Sequence, residues 1–242
     1  MTELVLSNAT SFFSGSMEKL FKNAEKFGFK YVEIAPYRWT RPDQVRHLVN
    51  KYQVHLAGIH LPFVWQSMFK AMGSTPVIQE KIAYPLIQFY LGNVVNSPAV
   101  AIAQEFSKER PYFLIHSNIA SEMGPDKFQA LQSQYHVAIE NIPEDRHLST
   151  HGVFDHNHFI HSRQRYFPNL DIFEAYKQAR PEVIHISYDN LLPASLPNVQ
   201  QQEELKQLLK IHQPKYITIE TNPLISIKKG KLLLEKILHP PL

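Results

Sequence analysis

The chain has 242 residues, a formal net charge of +3, 44% apolar residues, 13 histidines and no cysteine. That length suits one α/β barrel and supplies a sizeable core, while the missing cysteines exclude a disulfide framework and thiolate ligands, so any metal must take nitrogen and oxygen donors. Lys and Arg are scattered without a dense run, no apolar stretch is long enough to span a bilayer, and no basic-then-apolar leader stands at the start; nucleic-acid binding has weak support and a soluble cytoplasmic protein is expected.

Residues 3–6 read as a first strand. Met17, Leu20, Phe21, Ala24 and Phe27 then recur at helical spacing, and Gly28 stands where a helix stops. Residues 31–35 make a second strand. Thr40-x-x-Asp43 resembles a capping box ahead of a helix with Val45, Leu48, Val49 and Tyr52 on one face. Residues 54–60 are the third strand. A helix beginning at Thr75-Pro76 and kinked at Pro85 is expected next, then another over 98–108. Residues 112–116 form the fourth strand, and a short helix over 128–134 leads to a fifth strand ending at Glu140.

The span from Glu140 to Asp155, where the sixth strand ends, contains Pro143 and Gly152. It is too short for a full helix plus a strand, so this crossover helix is expected to be reduced or missing. Ile172, Phe173, Tyr176 and Ala179 mark a further helix, and residues 183–187 the seventh strand. Leu205, Leu208, Leu209 and His212 mark another helix. Residues 216–220 are the eighth strand, and 232–238 a closing helix. Eight strands alternating with helices predict a (β/α)8 TIM barrel, with 1–242 as a single domain.

The apolar runs end in ionisable residues: Glu33, His60, His116, Glu140, Asp155 (followed by His158), His185 and Glu220. In such a barrel the carboxyl ends of all strands face one mouth, so these groups would meet. Buried together without a counter-ion they would repel and be poorly solvated, and a cation is the simplest remedy. His60 or His116 alone reads equally well as a hydrogen-bonded core residue. Glu33 reads as substrate-facing or salt-bridged, not as a metal ligand. Arg38, Arg41 and Arg46 could meet a phosphate backbone, but solvated helix-start charges describe them better. His147, His151, His156 and His161 are expected mostly on loops or the surface, with His156 or His161 able to replace a lost ligand.

Several short motifs stand in a recognisable order: Gly58-Ile59-His60-Leu61-Pro62-Phe63, Ile115-His116-Ser117, Ile139-Glu140-Asn141, Asp155-His156-Asn157-His158, Ile184-His185-Ile186-Ser187 and Ile219-Glu220-Thr221-Asn222-Pro223. Over nearly the whole chain they resemble the xylose-isomerase-like TIM barrel superfamily, which includes sugar isomerases, epimerases and endonuclease IV. The resemblance implies a divalent metal, zinc or manganese, held by Glu140, Asp155, His185 and Glu220. It places His60 and His116 at the positions of a second ion bridged by Glu140, so one or two ions are expected. A third site would need His158 plus an Asp-x-His pair after the seventh strand. Ser187-Tyr188-Asp189-Asn190 lacks that pair.

The resemblance implies isomerisation or epimerisation of a sugar or sugar phosphate by proton transfer through an enediolate. Glu140 and Glu220 would be base and acid, and His158 would bind a substrate oxygen. Trp39, Phe63 and Trp65 would stack on the sugar and exclude water. The alternative is a dinuclear metal phosphoesterase related to AP endonucleases, with nucleic acid as partner. A third reading is a catalytically idle barrel that binds a small ligand or a protein.

Overall fold

Period-two alternation in the apolar runs sorts each strand into two faces. The computed structural model describes residues 2–8, 16–36, 39–61, 97–187, 196–220 and 227–239. Eight parallel strands close into a barrel in chain order. They are β1 Glu3–Ser7, β2 Tyr31–Ile34, β3 His55–His60, β4 Tyr112–His116, β5 His136–Glu140, β6 Val153–Asp155, β7 Val183–Ile186 and β8 Tyr216–Ile219. Phe113 and Ile115 of β4, Phe154 of β6, Ile184 of β7 and Ile217 of β8 join the large apolar cluster shared with the helices. Their strand neighbours Tyr112, Leu114, Val153, Val183 and Tyr216 form, with Val5 and Ala138, a second cluster inside the barrel. The same parity turns His116, Glu140, Asp155, His185 and Glu220 inward, above that second cluster.

Among the described residues the helices are α1 Met17–Phe27, α2 Pro42–Tyr52, α3 Pro98–Glu105, α4 Ser117–Met123, α5 Pro125–Gln134, α6 His156–Arg165, α7 Ile172–Ala179, α8 Val199–Ile211 and α9 Ile227–Leu238. The Ser16 side chain accepts from the Lys19 N–H to start α1, and Gly28, at φ 69°, ends it in the left-handed conformation. The expected Thr40–Asp43 capping box does not form. α2 starts at Pro42 with Arg41 as N-cap and no side-chain cap bond; the Asp43 carboxylate is taken instead by the Arg41 guanidinium, with Arg41 Nε 3.0 Å from Asp43 Oδ1. The helix expected from Thr75 lies outside the described residues. No helix among those described is long and apolar enough to cross a membrane.

The connection from β5 to β6 carries no helix, as its length requires. The ladder there is reduced to the pair Glu140 and Val153. Asn141 compensates with its carboxamide, which donates to Asp155 O at 3.2 Å and accepts from Asp155 N at 2.8 Å. One side chain thus does the work of a missing peptide pair and ties the ends of two strands that both carry site residues.

α4 and α6 were not expected from the sequence. His156 and His161, expected on loops or the surface, are instead buried on α6. His156 Nε2 lies 2.8 Å from Glu204 Oε1 on α8, and Arg163 donates to Glu204 Oε2 at 3.0 Å. Burial alone would push the Glu204 carboxyl up, but the His156 hydrogen bond, the charges of His156 and Arg163 and the Arg163 hydrogen bond hold it below the usual range. A depressed folded-state pKa means stability present above the unfolded pKa and lost as pH falls through the folded one. Glu204→Gln is therefore expected to lower stability at pH 7 by about 1.5–3 kcal/mol, and by progressively less at acid pH, as pH falls from about 4.3 through the lower folded value. Urea titrations of both proteins at neutral and at acid pH check this, and an equal loss at both would count against it.

Candidate metal centre

Strand register assembles the site. His116 on β4 pairs with Glu140 on β5, and Asp155 on β6 with His185 on β7. Glu140 is buried at the junction of the histidines. Its Oε2 lies 3.2 Å from His60 Nε2 and 3.2 Å from His116 Nε2. Its Oε1 lies 3.2 Å from His185 Nδ1, and Glu220 Oε1 approaches the same nitrogen at 3.2 Å. Three groupings put ligand atoms within 4.8 Å of one another: His60, Glu140 and His185; Glu33, His185 and Glu220; and Glu140, Asp155 and His158.

The donor set fits a divalent ion. His60 Nδ1 is 2.9 Å from Leu61 O, and His158 Nδ1 is 2.8 Å from Asn141 O. A carbonyl only accepts, so both Nδ1 atoms carry a proton and Nε2 is the nitrogen left for other work. Glu140 Oε2, Glu220 Oε1 and His185 Nδ1 are buried and have no hydrogen-bond partner, despite their 3.2 Å approaches. Acceptor atoms packed this closely repel one another unless protons or a cation sit between them. Imidazole and carboxylate donors without sulfur suit zinc or manganese.

The charges report the same tension. Burial pushes the Asp155 carboxyl up to about 7; the His158 charge opposes this, and the Glu140 and Glu220 carboxylates add to it. Burial would lower His60, yet the contact with Glu140 and the charges of Glu140, Glu33 and Glu220 raise it to about 9. For His116 burial wins over the pull of Glu140 and, with the neighbouring imidazoles, lowers it to about 3. Burial would raise Glu140 too, but the imidazoles of His185, His116 and His60 hold it well below the ordinary carboxylate range.

The structure gathers His60, His116, Glu140, His185 and Glu220 around Glu140 and His185. Asp155 and His158 meet Glu140 in a separate grouping. Among the described residues no grouping of that size holds Glu140, Asp155, His185 and Glu220 together. Asp155 is engaged elsewhere: Oδ1 accepts from the His158 N–H at 2.6 Å as the cap of α6, and Oδ2 from Ser187 Oγ at 3.3 Å. Glu33 lies in the layer below, 2.9 Å from His185 Nε2. Trp39 follows β2 and is 71% exposed. Phe63, Trp65 and Arg38 lie outside the described residues. Arg41 pairs with Asp43, and Arg46 with Glu105 and Glu109. Ser7, Tyr112 and Thr218, which brace the site, were assigned no role from the sequence; their only signal is parity with the strand-end ionisable groups. Asn141 stood in the Glu-Asn motif, but its tie between β5 and β6 was not read there.

The barrel is similar to several solved structures. One is an IOLI protein with a binding zinc atom, 12% identical, with TM-score 0.56 over 98% of both chains. Another is a sugar phosphate isomerase/epimerase from Parabacteroides distasonis ATCC 8503, 11% identical, with TM-score 0.54 over 99% of this chain and 95% of that one. An uncharacterized protein from the same organism is 11% identical, with TM-score 0.57 over 98% of both chains. No family model and no curated protein sequence matches the chain. At these identities the likeness shows the fold alone, that of a (β/α)8 TIM barrel.

Proposed function

We propose that the protein is a metal-dependent isomerase or epimerase of a sugar or sugar phosphate. One observation carries this reading: two buried carboxylates, Glu140 and Glu220, flank a single imidazole nitrogen at 3.2 Å each. The ion would be held by Glu140 and His185, with Glu220 3.2 Å from the same imidazole nitrogen; Asp155 meets Glu140 in a separate grouping with His158. When bound, the ion supplies polarisation of a substrate carbonyl and so acidifies the neighbouring C–H. Glu140 and Glu220 take a proton from one carbon and return it. His158 offers Nε2 to a substrate oxygen, because Nδ1 is committed to Asn141 O. Trp39 offers an exposed ring to the substrate. The zinc of the IOLI protein and the activity of the sugar phosphate isomerase/epimerase, both similar in fold, support the reading.

A second reading has its own observation. The two oxygens of Glu140 face different partners, Oε2 towards His60 and His116 and Oε1 towards His185. A carboxylate so placed can bridge two ions, as a dinuclear phosphoesterase needs. The pairing of Arg41 and Arg46 with acids weakens the case for a phosphate-binding surface beside α2. Metal analysis separates the two, with about one equivalent for the isomerase and about two for the phosphoesterase. The decisive test is deuterium exchange at the carbon beside the carbonyl in a panel of ketoses. Glu220→Gln is expected to abolish it, and exchange retained in that variant would remove the isomerase reading. For a catalytically idle barrel, a chelator is expected to strip no metal and to leave the melting temperature unchanged.

A further inference from the structure

Beneath the candidate ion site lies a carboxylate with no part in the proton transfer. Glu33, third residue of β2, is fully buried. Its Oε1 accepts from Ser7 Oγ at 2.8 Å, and its Oε2 accepts from Tyr112 Oη at 2.5 Å and contacts His185 Nε2 at 2.9 Å. The Tyr112 hydroxyl is also 3.2 Å from Thr218 Oγ1. A carboxylate has lone pairs only, so His185 must present an N–H at Nε2. The opposite ring nitrogen, Nδ1, then turns to Glu140 and Glu220, where it is buried and has no hydrogen-bond partner.

We infer that Glu33 is a positioning residue: clamped by Ser7 and Tyr112, its carboxylate fixes the His185 ring so that Nε2 keeps its proton and Nδ1 is offered to the ion. The inference rests on the metal-site reading proposed above. A backbone carbonyl does this for His60 and His158. For His185 the acceptor is an anion, which also strengthens the ring as a donor. β1, β2, β4 and β8 each supply one member of the clamp, so the ring orientation is set by the closed barrel and not by a loop.

Glu33→Gln keeps the shape and removes the charge. Its carboxamide can donate to Nε2, which would move the His185 proton to Nδ1. Zinc alone, titrated against a chromophoric chelator, is expected to bind this variant 10–100-fold more weakly than wild type. Tyr112→Phe, which frees Glu33 from one clamp, should lose a few-fold. Nitrogen-15 spectra of the zinc-loaded wild type should show His185 protonated at Nε2 and metal-shifted at Nδ1. That spectrum tests the inference even if Glu33→Gln fails to fold. Unchanged zinc affinity in a folded Glu33→Gln protein, or His185 protonated at Nδ1 in the wild type, would overturn it. Wild type that binds no zinc would overturn the metal-site reading itself, and this inference with it.

Discussion

Glu140→Gln should lower zinc affinity by more than about 100-fold, beyond the 10–100-fold typical of losing an outer partner. The reason is the position of Glu140 between three imidazoles, with separate oxygens for His60 and His116 on one side and His185 on the other. A carboxamide has one acceptor oxygen. Its NH2 would donate to an imidazole lone pair and hold it away from an ion. Removing one carboxylate therefore disables donors that are themselves unchanged. The metal-free variant also loses the charge that faces three buried imidazoles, so the zinc-dependent part is read as the difference between proteins with and without zinc. Zinc at about 100 times the wild-type Kd should stabilise the wild type by about 2.7 kcal/mol and the variant by almost nothing. Chelator competition and thermal melts with and without zinc measure both quantities. A variant that binds zinc as tightly as wild type would mean that Glu140 is not a ligand.

The strand-end acids and histidines were legible because each breaks an apolar run at a fixed parity. That parity survives closure of the barrel: His116, Glu140, Asp155, His185 and Glu220 all point inward. The absent helix between β5 and β6 was legible from length alone. α6 was not. Its buried side chains include His156, Asn157, His161 and Ser162 beside Phe159 and Ile160, so the apolar stripe that marks a helix is filled with polar groups. The signal that did exist was Asp155 as N-cap, and Asp-x-x-His reads as a ligand pair just as readily. At α8 the leucines mark the middle of the helix, while its start is set by the Asn198–Gln201 capping box. The clamp under His185 has no local signature at all. Its members come from four strands, and only the closed barrel brings Tyr112 to Glu33.

That dependence makes Gly58→Ala the most disruptive small substitution to expect. A methyl group on Gly58 would stand 2.2 Å from Tyr112 Cε2 and 2.3 Å from Cζ, far inside van der Waals contact. The ring has little freedom to retreat. It is buried, its hydroxyl is held by Glu33 and Thr218, and its centroid lies 5.9 Å from that of Tyr216. Overpacking of a closed core at this distance should cost about 3 kcal/mol, the upper end of the usual range. Displacing Tyr112 also loosens Glu33 and, through it, His185, so zinc affinity should fall although Gly58 touches no ligand. Tyr112→Leu alone removes the ring and its hydroxyl and is itself destabilising. Combined with Gly58→Ala it should be less damaging than the sum of the two, by about 1–3 kcal/mol in a double-mutant cycle, because the clash and the ring disappear together. Additive losses, or a Gly58→Ala protein as stable as wild type, would mean that Tyr112 does not fill the space beside β3, and the clamp on Glu33 would lose its support.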